Sequence, residues 1–177
     1  TAEPITMGAV IFNNESPSPR LGSTVRFLAE VLTGVPSIVV GLFAYALVVQ
    51  PMGKFSGYAG SVAYAVIMIP IVLISTQEAL RRVPPHLRGA SLALGVPRWR
   101  TILWVVLPVA SRALLTGVLL AISRALGEAA PMLFTAFGNP FWNLVPGKPI
   151  ATVPHLIYLF ATGPYGEWYN KAWEGSL

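Results

Sequence analysis

Arg124 and Glu128 stand one helical turn apart in "RALGEAAPMLF", a stretch whose other residues are nearly all apolar. A guanidinium is planar, permanently charged and forked, so it fits an oxyanion. A carboxylate four residues further on is placed to temper that charge. Two readings are open. In one, the two side chains pair along the helix and only orient a bundle. In the other, Arg124 offers a transient partner to an anion crossing a membrane, and Glu128 keeps that charge from becoming a trap, because conduction needs an attraction weak enough to release. If Arg112 snorkels to the inner interface, Arg124 lies roughly 18 Å deeper at about 1.5 Å per residue, near the middle of a bilayer. A charge at that depth costs about 2.5–3.5 kcal/mol, which favours a place facing a cavity or a path.

The helix that carries the pair has two faces. At about 100° per residue, Gly117, Ala121, Arg124 and Glu128 fall on one stripe, and Leu115, Leu119, Ile122 and Leu126 fall opposite. Leucines toward lipid and small or charged residues on the other side suit a helix lining a bundle interior. The rest of the chain agrees. Its 177 residues are 54% hydrophobic and 11% charged, with a mean hydropathy of +0.64, too apolar for an ordinary soluble domain. Three stretches, 26–50, 58–78 and 101–126, are long enough to cross about 30 Å of hydrocarbon. The expected fold is all-α, a polytopic membrane helix bundle. A shorter stretch, "ITMGAVIF" at 5–12, reads as the tail of a helix that begins before the given residues.

Small residues mark close helix approaches: Gly34, Ser37, Gly41 and Ala44 in the first span, Ala59 and Ala63 in the second. Pro36 is expected to kink or break the first span. Glu30 and Glu78 have Arg26 and Arg82 four residues away as exposed partners of small energetic value. Arginines concentrate at Arg20 with Arg26 and at Arg81, Arg82, Arg88, Arg98 and Arg100, while the lysines lie in the other connections. The excess of arginine puts 15–25 and 81–100 in the cytoplasm, and leaves 51–57 and 138–177 outside. The basic balance therefore reports topology, not nucleic-acid binding. The segment from 138 onward, rich in Pro, Gly, Trp and Tyr, reads as an extracytoplasmic loop with one short interfacial helix at about 150–161.

Between the second and third spans, Pro84 and Pro85 break one helix, 86–94 form a short one, and Gly95 with Pro97 stop it. Such a helix-break-helix on the inner side is a lever, and Arg88, Gly89, Ala90 and Ser91 suit docking into a partner's groove. Several chemistries are excluded. There is no Cys or Asp, and His86 and His155 fall on opposite sides of the expected membrane, so no metal site or metal cofactor is expected and an intramembrane hydrolase is disfavoured. "GKF" and "GKP" lack the spaced glycines and the Ser or Thr of a phosphate-cradling loop, so ATP hydrolysis must come from another chain.

The inner loop also carries a resemblance. "GASLALGVPRWRTILWVVLP" resembles the EAA loop of ABC importer permeases, with Gly89-Ala90-Ser91 at the E-A-A triplet, Gly95 at the pattern's glycine and Leu107-Pro108 at its end. Gly89 and Ser91 depart from the triplet. With "GVPSIVVGLF" and "ISRALGEAAPMLFTAF", the chain is similar to the PstA-type permeases of bacterial phosphate importers, whose transmembrane domain is of the MetI-like type. The resemblance implies a single permease domain, here lacking its first and last helices, in the bacterial cytoplasmic membrane. It implies that residues 86–95 are a coupling helix, with Arg88, Gly89, Ala90, Ser91, Gly95 and Pro97 engaging the ATPase, and that Arg124 and Glu128 lie on the phosphate path. The implied partners are a dimer of ATP-binding cassette subunits, a homologous PstC-like second permease, a periplasmic or lipid-anchored phosphate-binding protein and the bilayer. No cofactor is implied. The alternatives are a sulfate or molybdate permease, or a membrane scaffold or sensor that binds the ATPase without transporting.

Overall fold

The computed structural model describes residues 19–139, 141, 143 and 145–177, with side chains described from Ser23 onward. The helix tail expected at 5–12 lies outside the described residues. Among them there are helices and turns and no strand: α1 Pro19–Thr33, α2 Ser37–Ala44, α3 Gly57–Arg81, α4 Pro85–Ala93, α5 Arg98–Thr101, α6 Leu107–Gly127, α7 Ala130–Thr135, α8 Val153–Ala161 and α9 Gly166–Ser176.

Among the described residues, two helices are long and apolar enough to cross a membrane, Gly57–Arg81 and Arg98–Gly127. Ser23–Thr33 and Ser37–Met52 pass the same test only when taken together. Pro36 explains the break: its φ of −57° and ψ of 133° are extended, and helix resumes at Ser37, with Val39 N–H bonding the Pro36 carbonyl at 2.9 Å. The first expected span is therefore two pieces, not one helix.

α2 continues as a π-helical turn, Tyr45–Val49, and α6 is preceded by another, Ile102–Val106. Each stands just ahead of a proline, Pro51 or Pro108. A proline ring clashes with the carbonyl four residues earlier, and those carbonyls, of Leu47 and Trp104, lie within the widened turns.

By Cα packing the described residues divide into two units, one of 19–33 and 69–122, the other of 34–68 and those described from 123 to 177. The first is held by an apolar cluster of Ala29, Leu73, Leu80, Val83, Val106 and Ala110. Gly117 of α6 packs against Ser75 of α3 so closely that a β-carbon there would collide with the hydroxyl. Arg26 binds Glu30 at 2.7 Å and approaches Glu78 at 3.9 Å, so Glu78 pairs with Arg26 rather than with Arg82 as expected.

In the second unit the small stripe of α2 meets α7. A β-carbon on Gly41 would lie 3.0 Å from Pro131 Cα, and Ala44 is buried. Ala59 and Ala63 of α3 are fully buried, and Gly60 abuts the Met132 sulfur. Small side chains let backbones approach here, as their spacing implied.

Candidate functional site

The charged site begins at the end of α6. Glu128 lies just past the last residue of that helix, its N–H on the Ala125 carbonyl at 3.3 Å, and Pro131 occupies the first turn of α7, where a missing N–H is tolerated. The Glu128 carboxylate is half-buried and accepts a hydrogen bond from Ser37 Oγ at 2.5 Å. Its main-chain carbonyl accepts one from the Tyr64 hydroxyl at 2.9 Å. Glu128 is thus tied to the first residue of α2 and to the N-terminal half of α3.

Arg124 is exposed, and among the described residues its guanidinium pairs with no carboxylate. The intrahelical pair suggested by the spacing does not form; Glu128, just past the helix end, has its carboxylate bonded by Ser37. The faces of α6 are otherwise as the periodicity implied: Gly117, Ala121 and Ala125 are buried, while Leu115, Leu119 and Leu126 are 54–67% exposed. The buried stripe is turned toward Ala125, which leaves Arg124 at its edge rather than at its centre. An arginine in that position has no counter-ion within this chain's described part and is open to whatever lies against that edge.

The loop at 81–100 is built differently. α4 ends in a Schellman motif: Gly95 takes φ +79°, its N–H bonds the Leu92 carbonyl at 3.0 Å, and Val96 N–H bonds the Ser91 carbonyl at 3.3 Å. Pro97 caps α5, its carbonyl accepting Arg100 and Thr101 N–H at 3.0 and 3.1 Å. The hydroxyls of Ser91 and Thr101, both buried, meet at 2.9 Å and fasten α4 to α5. Arg88 turns inward and donates to the Leu80 carbonyl at 3.0 Å, so it satisfies the C-terminus of α3. The outward face of α4 carries His86, Gly89, Ala90, Ala93 and Leu94, the last 83% exposed.

Of the six residues expected to engage a partner, Gly89, Ala90, Gly95 and Pro97 are exposed, Arg88 is half-buried and Ser91 is buried. The sequence pattern missed Thr101 and Leu94 in the inner loop and the role of Ser37 and Tyr64 around Glu128. A serine directly after a helix-breaking proline was the available signal for Ser37.

In the segment from 138 onward α8 and α9 form a hairpin, where one short helix at about 150–161 was expected. Gly138, at φ +68°, backs onto the His155 ring, leaving no room for a β-carbon. Burial lowers the His155 pKa below its ordinary value. Groups of His and Glu able to hold a metal ion do not occur among the described residues.

Residues 5–163 match the sequence profile of the family described as "binding-protein-dependent transport system inner membrane component". The chain belongs to this family. Among curated relatives of this membrane-component family, the phosphate transport system permease protein PstA of Yersinia pestis is 47% identical over 157 residues, which are 89% of this chain and 53% of that protein. PstA of Haemophilus influenzae is 45% identical over 159 residues, 89% of this chain and 56% of that protein. A probable PstA of Methanocaldococcus jannaschii is 34% identical over 175 residues, 98% of this chain and 62% of that protein. The chain spans about half the length of the nearer of these relatives. Membership in the family, with an all-helical architecture and apolar helices of spanning length, makes the chain a membrane component of a transport system.

Proposed function

We propose that the chain is the permease subunit that forms half of the translocation pathway of an ATP-driven inorganic phosphate importer in the bacterial cytoplasmic membrane. The observation that carries the proposal is Arg124, a permanently charged guanidinium in an apolar helix, exposed and without a carboxylate partner while the nearest carboxylate is held by Ser37. The names of the relatives, which are phosphate transport permeases, supply the substrate.

In this mechanism Arg124 takes the phosphate oxyanion by a forked, charge-assisted contact. Glu128, one turn further on, limits how tightly the anion is held, so that it is released. Residues 86–95 dock in a cleft of an ATP-binding cassette subunit through Gly89 and Ala90. Because Ser91 and Thr101 lock α4 to α5 and Arg88 locks α4 to the end of α3, closure of the ATPase dimer pushes on α5 and the adjoining end of α3 together. A homologous second permease subunit completes the path, and a phosphate-binding protein docks on the outer loop 138–177. ATP hydrolysis belongs to the separate ATPase chain. The chain itself carries no cofactor.

The test is phosphate accumulation by the reconstituted complex against added ATP, with sulfate and molybdate as competitors. ATP-dependent accumulation unaffected by excess sulfate or molybdate is expected. Import of sulfate or molybdate alone would move the assignment to that rival oxyanion, and assembly with the ATPase without any import would leave a scaffold.

A further inference from the structure

The proposed path has a feature that the spacing of its two charges conceals: Arg124 and Glu128, at positions that pair readily on a helix, do not pair. The cause is Ser37. Its hydroxyl lies 2.5 Å from Glu128 Oε1, and the Tyr64 hydroxyl fixes the main chain of the same residue at 2.9 Å. Ser37 is placed there by the break at 34–36, which starts α2 at this residue, and by Gly41, whose missing side chain lets α2 lie against α7 just beyond Glu128.

We infer that Ser37 is a positioning residue for the anion path: by holding the Glu128 carboxylate, it keeps Arg124 without a counter-ion and so able to receive an oxyanion. The inference rests on the assignment of Arg124 to the phosphate path. Its logic is a competition for one guanidinium. When the hydroxyl is removed, the Glu128 carboxylate loses its partner, and the compensating charge available to it is Arg124, four residues back in the last turn of α6. An Arg124 so occupied presents an ion pair to phosphate instead of a free cation, and the anion must displace a carboxylate to enter.

The experiment measures phosphate translocated per ATP hydrolysed by the assembled transporter in proteoliposomes. Misfolding or poor assembly lowers both quantities together, whereas a failure to receive the anion lowers the ratio. Ser37→Ala is expected to lower the ratio about tenfold, the scale of losing a charge-assisted contact. Ser37→Thr, which keeps the hydroxyl, should retain the ratio. In Ser37→Ala/Glu128→Gln no carboxylate remains to occupy Arg124, so the ratio should return to that of Glu128→Gln alone.

Arg124→Gln separates this inference from the reading beneath it. If Arg124→Gln leaves the ratio unchanged, the assignment of Arg124 to the path fails. If Arg124→Gln lowers it while Ser37→Ala does not, or if Glu128→Gln fails to rescue Ser37→Ala, the positioning role of Ser37 is overturned and the path assignment stands.

Discussion

The inner loop and the Glu128 cluster are both held by short hydrogen bonds, but between partners at very different distances along the chain. In the loop, Ser91 meets Thr101 ten positions away and Arg88 meets Leu80 eight positions away. Around Glu128, Ser37 is 91 positions away and Tyr64 is 64. A structure closed by near neighbours keeps its shape whatever the spans do, which is what a lever requires. A cluster assembled from three distant segments exists only while those segments are in register, so it is the part that a change of conformation can open.

The contrast can be broken most strongly at Gly41. Leucine there would drive a side chain into the Pro131 backbone, 3.0 Å from the position of its first carbon, and separate α2 from α7. Overpacking of this kind costs about 3 kcal/mol. Thermal unfolding of the assembled complex in detergent should fall by several degrees, and an unchanged transition would show that the α2–α7 contact is not what holds Ser37 against Glu128.

Gly95→Ala comes next. A β-carbon at φ +79° costs about 1–2 kcal/mol, and the loss falls on the Schellman turn alone. We expect ATP hydrolysis to lose its stimulation by phosphate delivery while the complex still assembles; full coupling would count against a fixed shape for this loop. Ser91→Ala should cost about 1 kcal/mol, the value of one net hydrogen bond, because the Thr101 hydroxyl still reaches the Pro97 carbonyl at 3.4 Å, and is read as a modest loss of coupling.

The α8–α9 hairpin offers a pH-dependent case. Burial lowers the His155 pKa from its ordinary 6.5, so the unfolded chain takes the proton first as pH falls. The contribution is constant above about pH 6.5 and stability is lost as pH drops from there toward the folded value. Replacing His155 with Gln should flatten that acid limb in a thermal scan against pH. Smallest of all is Arg26→Ala. Its bonds to Glu30 and Glu78 involve carboxylates about half exposed, and we expect less than about 1 kcal/mol.

Legibility in the sequence follows the same division. The break at Pro36, the short helix after Pro84 and Pro85, its stop at Gly95 and the leucine face of α6 all depend on residues within a few positions, and the pattern of prolines, glycines and periodicity displays them. The hairpin α8–α9 was half visible, since Trp and Tyr fit an interfacial loop as well as a helix. Glu128's true partner was invisible. Local spacing pointed to Arg124, and only tertiary packing brings Ser37 from the other side of a proline break to take the carboxylate. The turn of the buried stripe toward Ala125 was hidden for a related reason: Arg124 and Ala125 are neighbours on the wheel, and which of them is covered is decided by the helices packed against α6.

The central claim is that Arg124 faces an aqueous, anion-accessible path. The 177 residues contain no cysteine, so single thiols can be introduced along α6 without background from this chain. Arg124→Cys, Leu119→Cys and Leu126→Cys would each be treated, in the assembled transporter, with a water-soluble, membrane-impermeant thiol reagent, with and without phosphate. The account predicts rapid labelling at position 124, slowed by phosphate, and little at 119 or 126. A position 124 that stays unlabelled, or that labels no faster than the two leucine positions, would contradict it.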